Sequence, residues 1–220
     1  QSIGLTKPFR IRTGGDAVKR RELEMALQSL SPFSSPRPEL EQYSTPAVIA
    51  ADLLFDALAR GDLEGRKVID LGCGTGPLGI GAALLGANEV IGFDKDPAAL
   101  EEAAANAIKA KVEVEFRQAE IGEVNEKGDT VIMNPPFGAQ RKGADRPFLT
   151  AAMRCAPVVY SLHMSSTEDF VQRFVRRSGY TATPLKRYKF GIPYMFEFHS
   201  KAKKEVDVTL FYILKTGVLE

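Results

Sequence analysis

The sequence feature that most constrains the fold is an alternation of short apolar runs with helical stretches, which begins after Gly65. The runs RKVIDL, EVIGFD, VEVEF and DTVIMN are typical of strands, and PLGIGAALLG and PAALEEAAANAIKA lie between strands and have helical composition. Strands that alternate with helices form a parallel sheet with helices on both faces. We therefore predict an α/β fold built on a mostly parallel sheet.

The last third of the sequence departs from this alternation. PVVYSLH predicts a further strand and TEDFVQRFVRRSG a helix, but TATPLKRYKF and VDVTLFYIL then follow with no helix between them. Two successive strands without a crossover helix pair antiparallel. The sequence thus predicts seven strands, with an antiparallel hairpin at the C-terminal edge of the sheet.

The segment before Gly65 is organised differently. In KRRELEMALQSL, Leu23, Ala26, Leu27 and Leu30 recur at helical spacing and predict an amphipathic helix, which is followed by the proline-rich SPFSSPRPEL. A second helix is expected over residues 47–60, with Thr45 as its N-cap. We predict that residues 1–45 form an N-terminal arm, a helix and a covering segment, and that residues 46–220 form one domain.

Composition narrows the function classes. The 220 residues are 44% hydrophobic, enough for one sizeable core. The net charge is +1, so binding of nucleic acid would need a local basic patch or a partner. Cys73 and Cys155 are the two cysteines, too few for a disulfide framework or a zinc knuckle. Because no membrane span or apolar signal core is found, we expect a cytoplasmic protein without a membrane contact.

A glycine-rich turn joins the first predicted strand to its helix, over the residues Asp70, Leu71, Gly72, Cys73, Gly74, Thr75, Gly76, Pro77, Leu78 and Gly79. Glycines allow the backbone to approach a ligand, and the helix N-terminus points free N–H groups at it. GTGPLG also fits GxGxxG, with Asp94 placed 20 residues after Gly74, so spacing alone leaves NAD open. Asp70 and the DLGCGTG string instead favour a ligand with a charged amino-acid end, such as S-adenosylmethionine.

The motif NPPF, from Asn134 to Phe137, directly follows the strand DTVIMN. Ligands of open α/β sheets bind beyond the carboxyl ends of the strands, so this motif should face the glycine turn. The Asn134 side-chain oxygen and the Pro135 carbonyl can together accept both hydrogens of an amino group. Pro135 and Pro136 stiffen the loop, and Phe137 can stack on a flat ring. The motif therefore predicts a site for a planar amine such as adenine.

DLGCGTG, GFDKD and NPPF, in this order, resemble the Rossmann-like class I methyltransferases that methylate amino groups. EQYSTP, VIMNPPFG, DRPFL, YSLHMSS and VDVTLFYI are similar to the methyltransferase-like protein five family, which methylates N6 of an adenosine in small-subunit ribosomal RNA. The resemblance extends from about Arg21 to Leu214. It implies methyl transfer from S-adenosylmethionine to structured RNA, and a small zinc-binding activator subunit as a partner.

The resemblance also implies roles for particular residues. The catalytic loop would be Asn134, Pro135, Pro136 and Phe137. The expected cofactor contacts are Gln42, Thr45, Asp70, Gly72, Gly74, Thr75, Gly76, Leu78, Asp94 and Glu120. The segment RQAE departs from the family pattern, which has an acidic residue after the third strand to hold the adenine amino group: either Glu120 takes this role with a shift of one residue, or a backbone group does.

Other functions remain open at this level. DNA adenine and protein glutamine methyltransferases also use NPPF, and a non-catalytic nucleotide-binding scaffold would have the same turn. The segment 184–204 mixes basic and aromatic residues, which suits either looped RNA or a solvated edge hairpin. His163 is either part of the target pocket or a hydrogen-bonded structural residue.

Overall fold

The computed structural model describes residues 19–138, 143–193 and 203–217, which form one seven-stranded sheet with helices on both faces. The strands are β1 (Lys67–Leu71), β2 (Glu89–Asp94), β3 (Glu115–Gln118), β4 (Thr130–Met133), β5 (Val158–Met164), β6 (Tyr180–Pro193) and β7 (Lys203–Lys215). The helices are α1 (Arg20–Gln28), α2 (Ala47–Ala59), α3 (Pro77–Leu84), α4 (Pro97–Ala110), α5 (Arg146–Cys155) and α6 (Glu168–Arg176). Short 3₁₀ turns cover Pro38–Leu40 and Ser165–Thr167.

The strand order is β3-β2-β1-β4-β5-β7-β6. Strands β1 to β5 are parallel, whereas β7 runs antiparallel to both β5 and β6. This confirms the predicted mostly parallel sheet with an antiparallel C-terminal pair. The order reverses between β1 and β4, and the crevice beyond such a switch point is where ligands bind in this type of sheet. The pairs Asp70–Ile132 and Leu71–Met133, at the carboxyl ends of β1 and β4, place the glycine turn beside the NPPF loop.

Both faces of the sheet are buried, as the continuous apolar strands predict. Val68 and Ile132 face a core formed with α1, α2 and α3, whereas Ile69 and Met133 face a second core formed with α5 and α6. Leu23 of α1 is fully buried in the first core. Its burial stabilises the fold by about 1.5–3 kcal/mol, so α1 is part of the packed structure.

Three local features differ from the expectations. Strand β3 lies at Glu115–Gln118 instead of within VEVEF, because its register with β2 begins at the Ile91–Glu115 pair. Helix α5 was not predicted. Pro46, not Thr45, is the N-cap residue of α2, and the cap makes no side-chain hydrogen bond.

Some expectations fall on parts of the chain that the structure does not describe. Residues 1–18 of the predicted arm lie outside the described ranges, so the division at residue 45 stays a prediction. Within the described ranges, no helix has both the length and the apolar character to cross a membrane.

Candidate active site

Glycine is required in the turn after β1, because Gly72, Gly74 and Gly76 have φ values of +70°, +53° and +86°. The space around two of them is also filled. A Cβ on Gly72 would lie 2.8 Å from the Phe148 ring, and a Cβ on Gly74 would lie 2.8 Å from the Phe33 ring. The turn thus lies between two aromatic rings, one from the segment before α2 and one from α5.

Asp70 lies at the end of β1 with its side chain buried beneath this turn. Its Oδ2 accepts the Gly79 N–H at 2.8 Å, whereas its Oδ1 is buried and has no hydrogen-bond partner among the described residues. Burial raises the pKa of Asp70 to about 7, although the Gly79 N–H lowers it and the nearby Asp94 charge raises it further. A carboxylate in this state is stabilised by a cationic ligand.

Asp94 at the end of β2 ties the same turn to the next strand. Its Oδ2 accepts the Gly74 N–H at 2.9 Å and its Oδ1 accepts the Asp96 N–H at 3.0 Å. Burial raises the pKa of Asp94 above its usual value, and the two backbone hydrogen bonds oppose this. Each carboxylate oxygen keeps a second lone pair, with which it can accept a hydroxyl of a ligand.

The side chain of Asn134 is oriented by a contact 89 residues away in sequence. Its Nδ2 donates to Thr45 Oγ1 at 3.0 Å, which leaves Oδ1 as the free end of the amide. That oxygen is buried and has no hydrogen-bond partner within the described part of the chain. A buried acceptor without a donor costs about 1–3 kcal/mol, so it marks a place where a donor is expected to bind.

Phe137 packs into an aromatic cluster with Tyr43 and Phe190. Its ring centroid is 5.5 Å from that of Tyr43 and 5.3 Å from that of Phe190, in a T-shaped contact with the latter. The Tyr43 hydroxyl also accepts the Phe137 N–H at 3.4 Å. These contacts hold the Phe137 ring beside the cavity, and the ring does not line it. The expected stacking of Phe137 on a substrate ring therefore stays a prediction.

Gln42 connects the covering segment to α4. Its Nε2 donates to Asp96 Oδ2 at 2.6 Å, and its Oε1 accepts the Arg37 N–H at 2.8 Å. The Arg37 guanidinium forms an ion pair with Asp96 at 2.8 Å. Gln42 lines the cavity, as its expected cofactor role requires, but both ends of its amide are already bound. Asp96 caps α4 through the Ala98 N–H and was not among the predicted site residues.

A second contact fastens the covering segment to α4. The Asn106 side chain exchanges hydrogen bonds with the Ser31 backbone at 2.9 and 3.0 Å and also donates to the Thr75 carbonyl at 3.0 Å. Asn106 is buried and links the segment directly to the glycine turn. Helix α4 therefore holds the segment over the carboxyl ends of β1 and β2.

These parts enclose a cavity of about 500 Å³. The predicted residues that line it are Gln42, Thr45, Asp70, Gly72, Gly74, Thr75, Leu78, Asp94, Glu120, Asn134 and Pro136. Gly76, Pro135 and Phe137 do not line it: Gly76 caps α3, Pro135 is buried and Phe137 lies in the aromatic cluster. Glu120 is exposed at the rim, so its contact with an adenine stays a prediction.

The cavity walls also contain residues to which the sequence assigned no role of their own, although some of them lie in the family motifs. Phe33, Tyr43, Lys95, Ala144, Arg146 and Phe148 are among them. An aromatic residue in a proline-rich segment or an exposed arginine gives no spacing signal. Their roles become visible only when the covering segment and α5 lie against the turn.

His163 lies outside the cavity wall and is buried within the sheet. Its Nε2 is 2.7 Å from Ser161 Oγ, and its Nδ1 is 3.2 Å from Asp145 Oδ2. The structure therefore favours the structural alternative for this residue over direct contact with a target base.

The basic residues of the described part of β6 are bound to acidic residues. Lys186 Nζ lies 2.9 Å from Asp56, and Lys189 Nζ lies 2.7 Å from Asp207. Arg187 pairs with Glu168 at 2.8 Å. This pairing favours the solvated hairpin over an RNA surface on β6. Tyr194, Phe196, Phe198, His199 and Lys201 lie outside the described residues.

Comparisons with known proteins agree with this geometry. Residues 45–156 match the Methyltransferase small domain family. The chain is 37% identical to the rRNA N(6)-adenosine-methyltransferase Mettl5 of Drosophila melanogaster, over 87% of this chain and 94% of that protein. The chain belongs to this methyltransferase family.

Archaeal members of the family extend the similarity. An uncharacterized protein of Methanocaldococcus jannaschii is 41% identical, over 91% of this chain and 96% of its own length. A crystal structure from Pyrococcus horikoshii, of a protein proposed to be an RNA methyltransferase, superposes with a TM-score of 0.85 at 40% identity. The superposition covers 90% of this chain and 98% of the Pyrococcus horikoshii chain.

Family membership decides between the two cofactors that the glycine spacing left open. As a member of the methyltransferase family, the chain uses S-adenosylmethionine, not a nicotinamide. Among the described residues, no cluster of three or more histidine, cysteine or acidic side chains is arranged to hold a metal ion.

Proposed function

We propose that this protein transfers a methyl group from S-adenosylmethionine to N6 of an adenosine in structured RNA, most specifically small-subunit ribosomal RNA. The observation that carries this proposal is the buried Oδ1 of Asn134, a residue that lines the cavity, because no group of the described residues donates a hydrogen bond to it. The rRNA adenosine methyltransferases named in three animals, at 31–37% identity, support the choice of RNA as substrate.

The residues around the glycine turn fit S-adenosylmethionine. Asp70 Oδ1 is a buried acceptor that no described residue binds, so it suits the cationic amino-acid end, and Asp94 suits the ribose hydroxyls. Gly72 and Gly74 line the cavity, and their positive φ values let the turn present its backbone to a ligand there. When bound, S-adenosylmethionine supplies a methyl group attached to a positively charged sulfur.

Asn134 acts on the acceptor nitrogen. The adenine amino group is a weak nucleophile, because its lone pair is delocalised into the ring. Hydrogen bonds from this group to Asn134 Oδ1, and to the Pro135 carbonyl predicted beside it, favour the pyramidal, reactive form. The same acceptors stabilise the positive charge that develops on the nitrogen. Thr45 holds the Asn134 oxygen toward the cavity, because it occupies the other end of the amide.

A target adenosine that is paired or stacked must leave its helix to reach Asn134. The acceptor oxygen is buried, so no base can reach it while remaining in a stack. The cavity then excludes water from the reacting atoms. Alignment of the nitrogen with the methyl group supplies much of the rate acceleration, so no strong general base is required.

The proposal is tested by incubating the protein with labelled S-adenosylmethionine and unmodified small ribosomal subunits or their naked RNA, followed by nucleoside analysis. We expect labelled N6-methyladenosine. Asn134→Ala should abolish the label but retain cofactor binding, measured by calorimetry. Normal methylation by this variant would contradict the role of the loop.

Methylation of DNA adenine or of a protein glutamine is the second candidate, because NPPF chemistry is common to all three substrates. The relatives named as rRNA methyltransferases favour RNA over DNA. Competition between RNA, DNA and protein substrates in the same labelling assay distinguishes them. A non-catalytic scaffold would bind the cofactor and transfer no label to any of the three.

We also propose a small zinc-binding activator subunit and a cytoplasmic location. The outer edge of β3 has no strand partner within the described sheet, and Ile108 of the adjacent helix α4 is 78% exposed. Such surface is suited to a partner that covers it and stabilises the folded state by binding. Co-expression with the subunit should raise the melting temperature of this chain; no change would contradict the partnership.

A further inference from the structure

We propose that one face of α6, together with Arg146, binds the RNA strand next to the target adenosine. Phe170, Arg173, Phe174 and Arg177 are here called the α6 stripe. Arg146, at the rim of the cavity, contacts the first of them, Phe170. This inference rests on the proposed function, since it assigns the surface over which the RNA reaches the cavity.

Arg146 connects the cavity to the α6 stripe. It is exposed, it lines the cavity at the first residue of α5, and its guanidinium lies 4.9 Å from the centroid of the Phe170 ring. The Phe170 and Phe174 rings are in turn 5.5 Å apart, with an interplanar angle of 38°. A continuous row of cationic and aromatic groups therefore begins at the cavity rim and follows α6.

The positions of the stripe residues in sequence place them on one side of the helix. Positions 170, 173, 174 and 177 follow the spacing i, i+3, i+4 and i+7, which places them along one side of the helix, with Arg177 at its C-cap. Val171 and Val175 are fully buried in the second core, and Phe170 and Phe174 pack against the edge of this core. The stripe extends for about 10 Å along the axis, the length of about three stacked nucleotides.

The arginines of the stripe are available for phosphates. Arg173 and Arg177 are exposed, and the described residues offer neither of them an ion pair. Glu168 in the first turn of α6 is already occupied by Arg187, and the cations of β6 are bound to acidic residues. The stripe thus differs from β6 in having cations that can bind phosphate without first breaking an ion pair.

The cavity and the stripe suit different parts of a nucleotide. Asp70, Asp94 and Glu120 line the cavity and repel a phosphate, whereas Arg146 lies at its rim. A base can therefore enter while its backbone remains outside. Arginines bind phosphates, and the exposed parts of the partly buried Phe170 and Phe174 rings can stack on bases, which is how single-stranded or looped RNA is bound without sequence preference.

The test compares the stripe with a cation at the other end of the sheet. Arg173→Ala/Arg177→Ala removes the cations of the stripe, whereas Arg66→Ala, the control variant, removes an exposed arginine directly before β1, at the amino ends of the strands and away from the cavity. Affinity for a fluorescent fragment of small-subunit ribosomal RNA is measured between 50 and 200 mM salt. The double variant should bind about tenfold more weakly, and the slope of log affinity against log salt should fall by about 1.4, or about 0.7 for each lost phosphate contact.

The control variant should remain within about twofold of the unmodified protein, a change of about 0.4 kcal/mol. Phe170→Leu keeps the apolar packing and removes the aromatic face, so it should weaken RNA binding at every salt concentration and leave the slope unchanged. For the double variant, KM for RNA should rise while kcat at saturating RNA and the Kd for S-adenosylmethionine stay the same.

Equal effects of the double variant and Arg66→Ala, or no effect of either, would overturn the assignment of the α6 stripe. Failure of the proposed function can be told apart from failure of the α6 stripe, because the RNA-binding assay does not depend on methyl transfer. If the protein binds RNA through the stripe and transfers no methyl group to it, the surface stands and the proposed reaction is wrong.

Discussion

The Asp145 carboxylate occupies the N-cap position of α5 but caps no backbone N–H, and its Oδ2 lies instead 3.2 Å from His163 Nδ1. His163 also contacts Ser161, which pairs with Met133 directly before Asn134. The start of α5, whose Phe148 ring lies against Gly72, is thereby tied to the strand beside the NPPF loop. His163 positions a cavity wall without contacting the cavity.

Separate replacement of the two His163 nitrogens tests this role. An asparagine places its amide nitrogen near the position of Nδ1, and a glutamine places its own near Nε2. We expect His163→Asn to retain most activity, because it can still donate to Asp145. His163→Gln should lose about tenfold or more in kcat/KM for RNA, as misplacement of a cavity wall typically costs. Steady-state kinetics on both variants give the comparison.

Thermal unfolding of the two His163 variants is the control, since each leaves one buried partner without a hydrogen bond, at a cost of about 1–3 kcal/mol. Similar stability with different activity supports positioning. If both variants lose activity in proportion to their loss of stability, the contact with Asp145 has only a structural role.

The Thr45 hydroxyl should affect catalysis through the orientation of the Asn134 amide. Thr45→Val has nearly the same shape but offers no acceptor to Asn134 Nδ2, so the amide can turn its oxygen away from the cavity. We expect kcat to fall about tenfold, equivalent to about 1.4 kcal/mol. Thr45→Ser should keep the activity. A loss confined to cofactor Kd would instead mean that Thr45 contacts only the cofactor.

Asp70 should lower the stability of the cofactor-free protein as the pH rises. Its pKa in the folded protein is raised by burial from the usual 3.8 to about 7, so the folded state holds the proton more tightly than the unfolded chain. The stability of the fold with a protonated Asp70 side chain is fully present below pH 3.8, and it is lost as the pH rises to about 7. Asp70→Asn does not ionise and avoids this loss, which is of the order of a few kcal/mol.

Melting temperatures measured between pH 5 and 8 should therefore diverge, with Asp70→Asn increasingly more stable than the unmodified protein. The same variant should bind S-adenosylmethionine more weakly, because it lacks the charge expected to face the cationic end. A constant difference in melting temperature across this pH range would show that ionisation of Asp70 is not its cause.

Asp96 has the opposite pH dependence. Burial raises its pKa, but the hydrogen bonds from Gln42, Arg37 and the Ala98 N–H outweigh this and hold the pKa below its usual value. Its contribution to stability is present above the usual pKa of 3.8 and is lost as the pH falls through the lower folded value. Asp96→Asn should be less stable at pH 7 by up to about 1 kcal/mol, because asparagine caps a helix as well as aspartate but removes the charge that pairs with Arg37.

The difference between Asp96→Asn and the unmodified protein should shrink at acid pH, where both carry an uncharged side chain. Hydrogen exchange at residues 31–45 measures the contact with the covering segment directly. We expect faster exchange there in the variant than in the unmodified protein. Unchanged exchange would mean that Asn106 and the aromatic cluster hold the segment without Asp96.

Sequence alone predicted those features whose cause lies within one element and its neighbours. The strands, the glycine turn and the NPPF loop at a strand end follow from periodicity, positive φ at glycine and the crossover rule. The missed features depend on pairing between distant segments. Gln42 and Asp96 are 54 residues apart, and Asn106 and Ser31 are 75 apart. No local pattern indicates such pairs.

Helix α5 and the position of β3 were missed for related reasons. Helix α5 has ten residues, and it follows a loop in which Asp145 bonds to His163 instead of to the helix. Strand β3 is a four-residue edge strand whose position is set by its register with β2. In both cases a contact with another element, and not the local residue pattern, determines the boundary.

Strand β7 follows β6 in sequence but lies between β5 and β6 in the sheet. During synthesis on a ribosome, the completed β6 therefore has no neighbour in the sheet until residues 203–215 have left the exit tunnel. The half that contains the glycine turn and the NPPF loop can assemble earlier, because β1 to β4 pair with one another. Nascent chains halted before β7 should accordingly expose the apolar side of β6 and depend on chaperones until translation resumes.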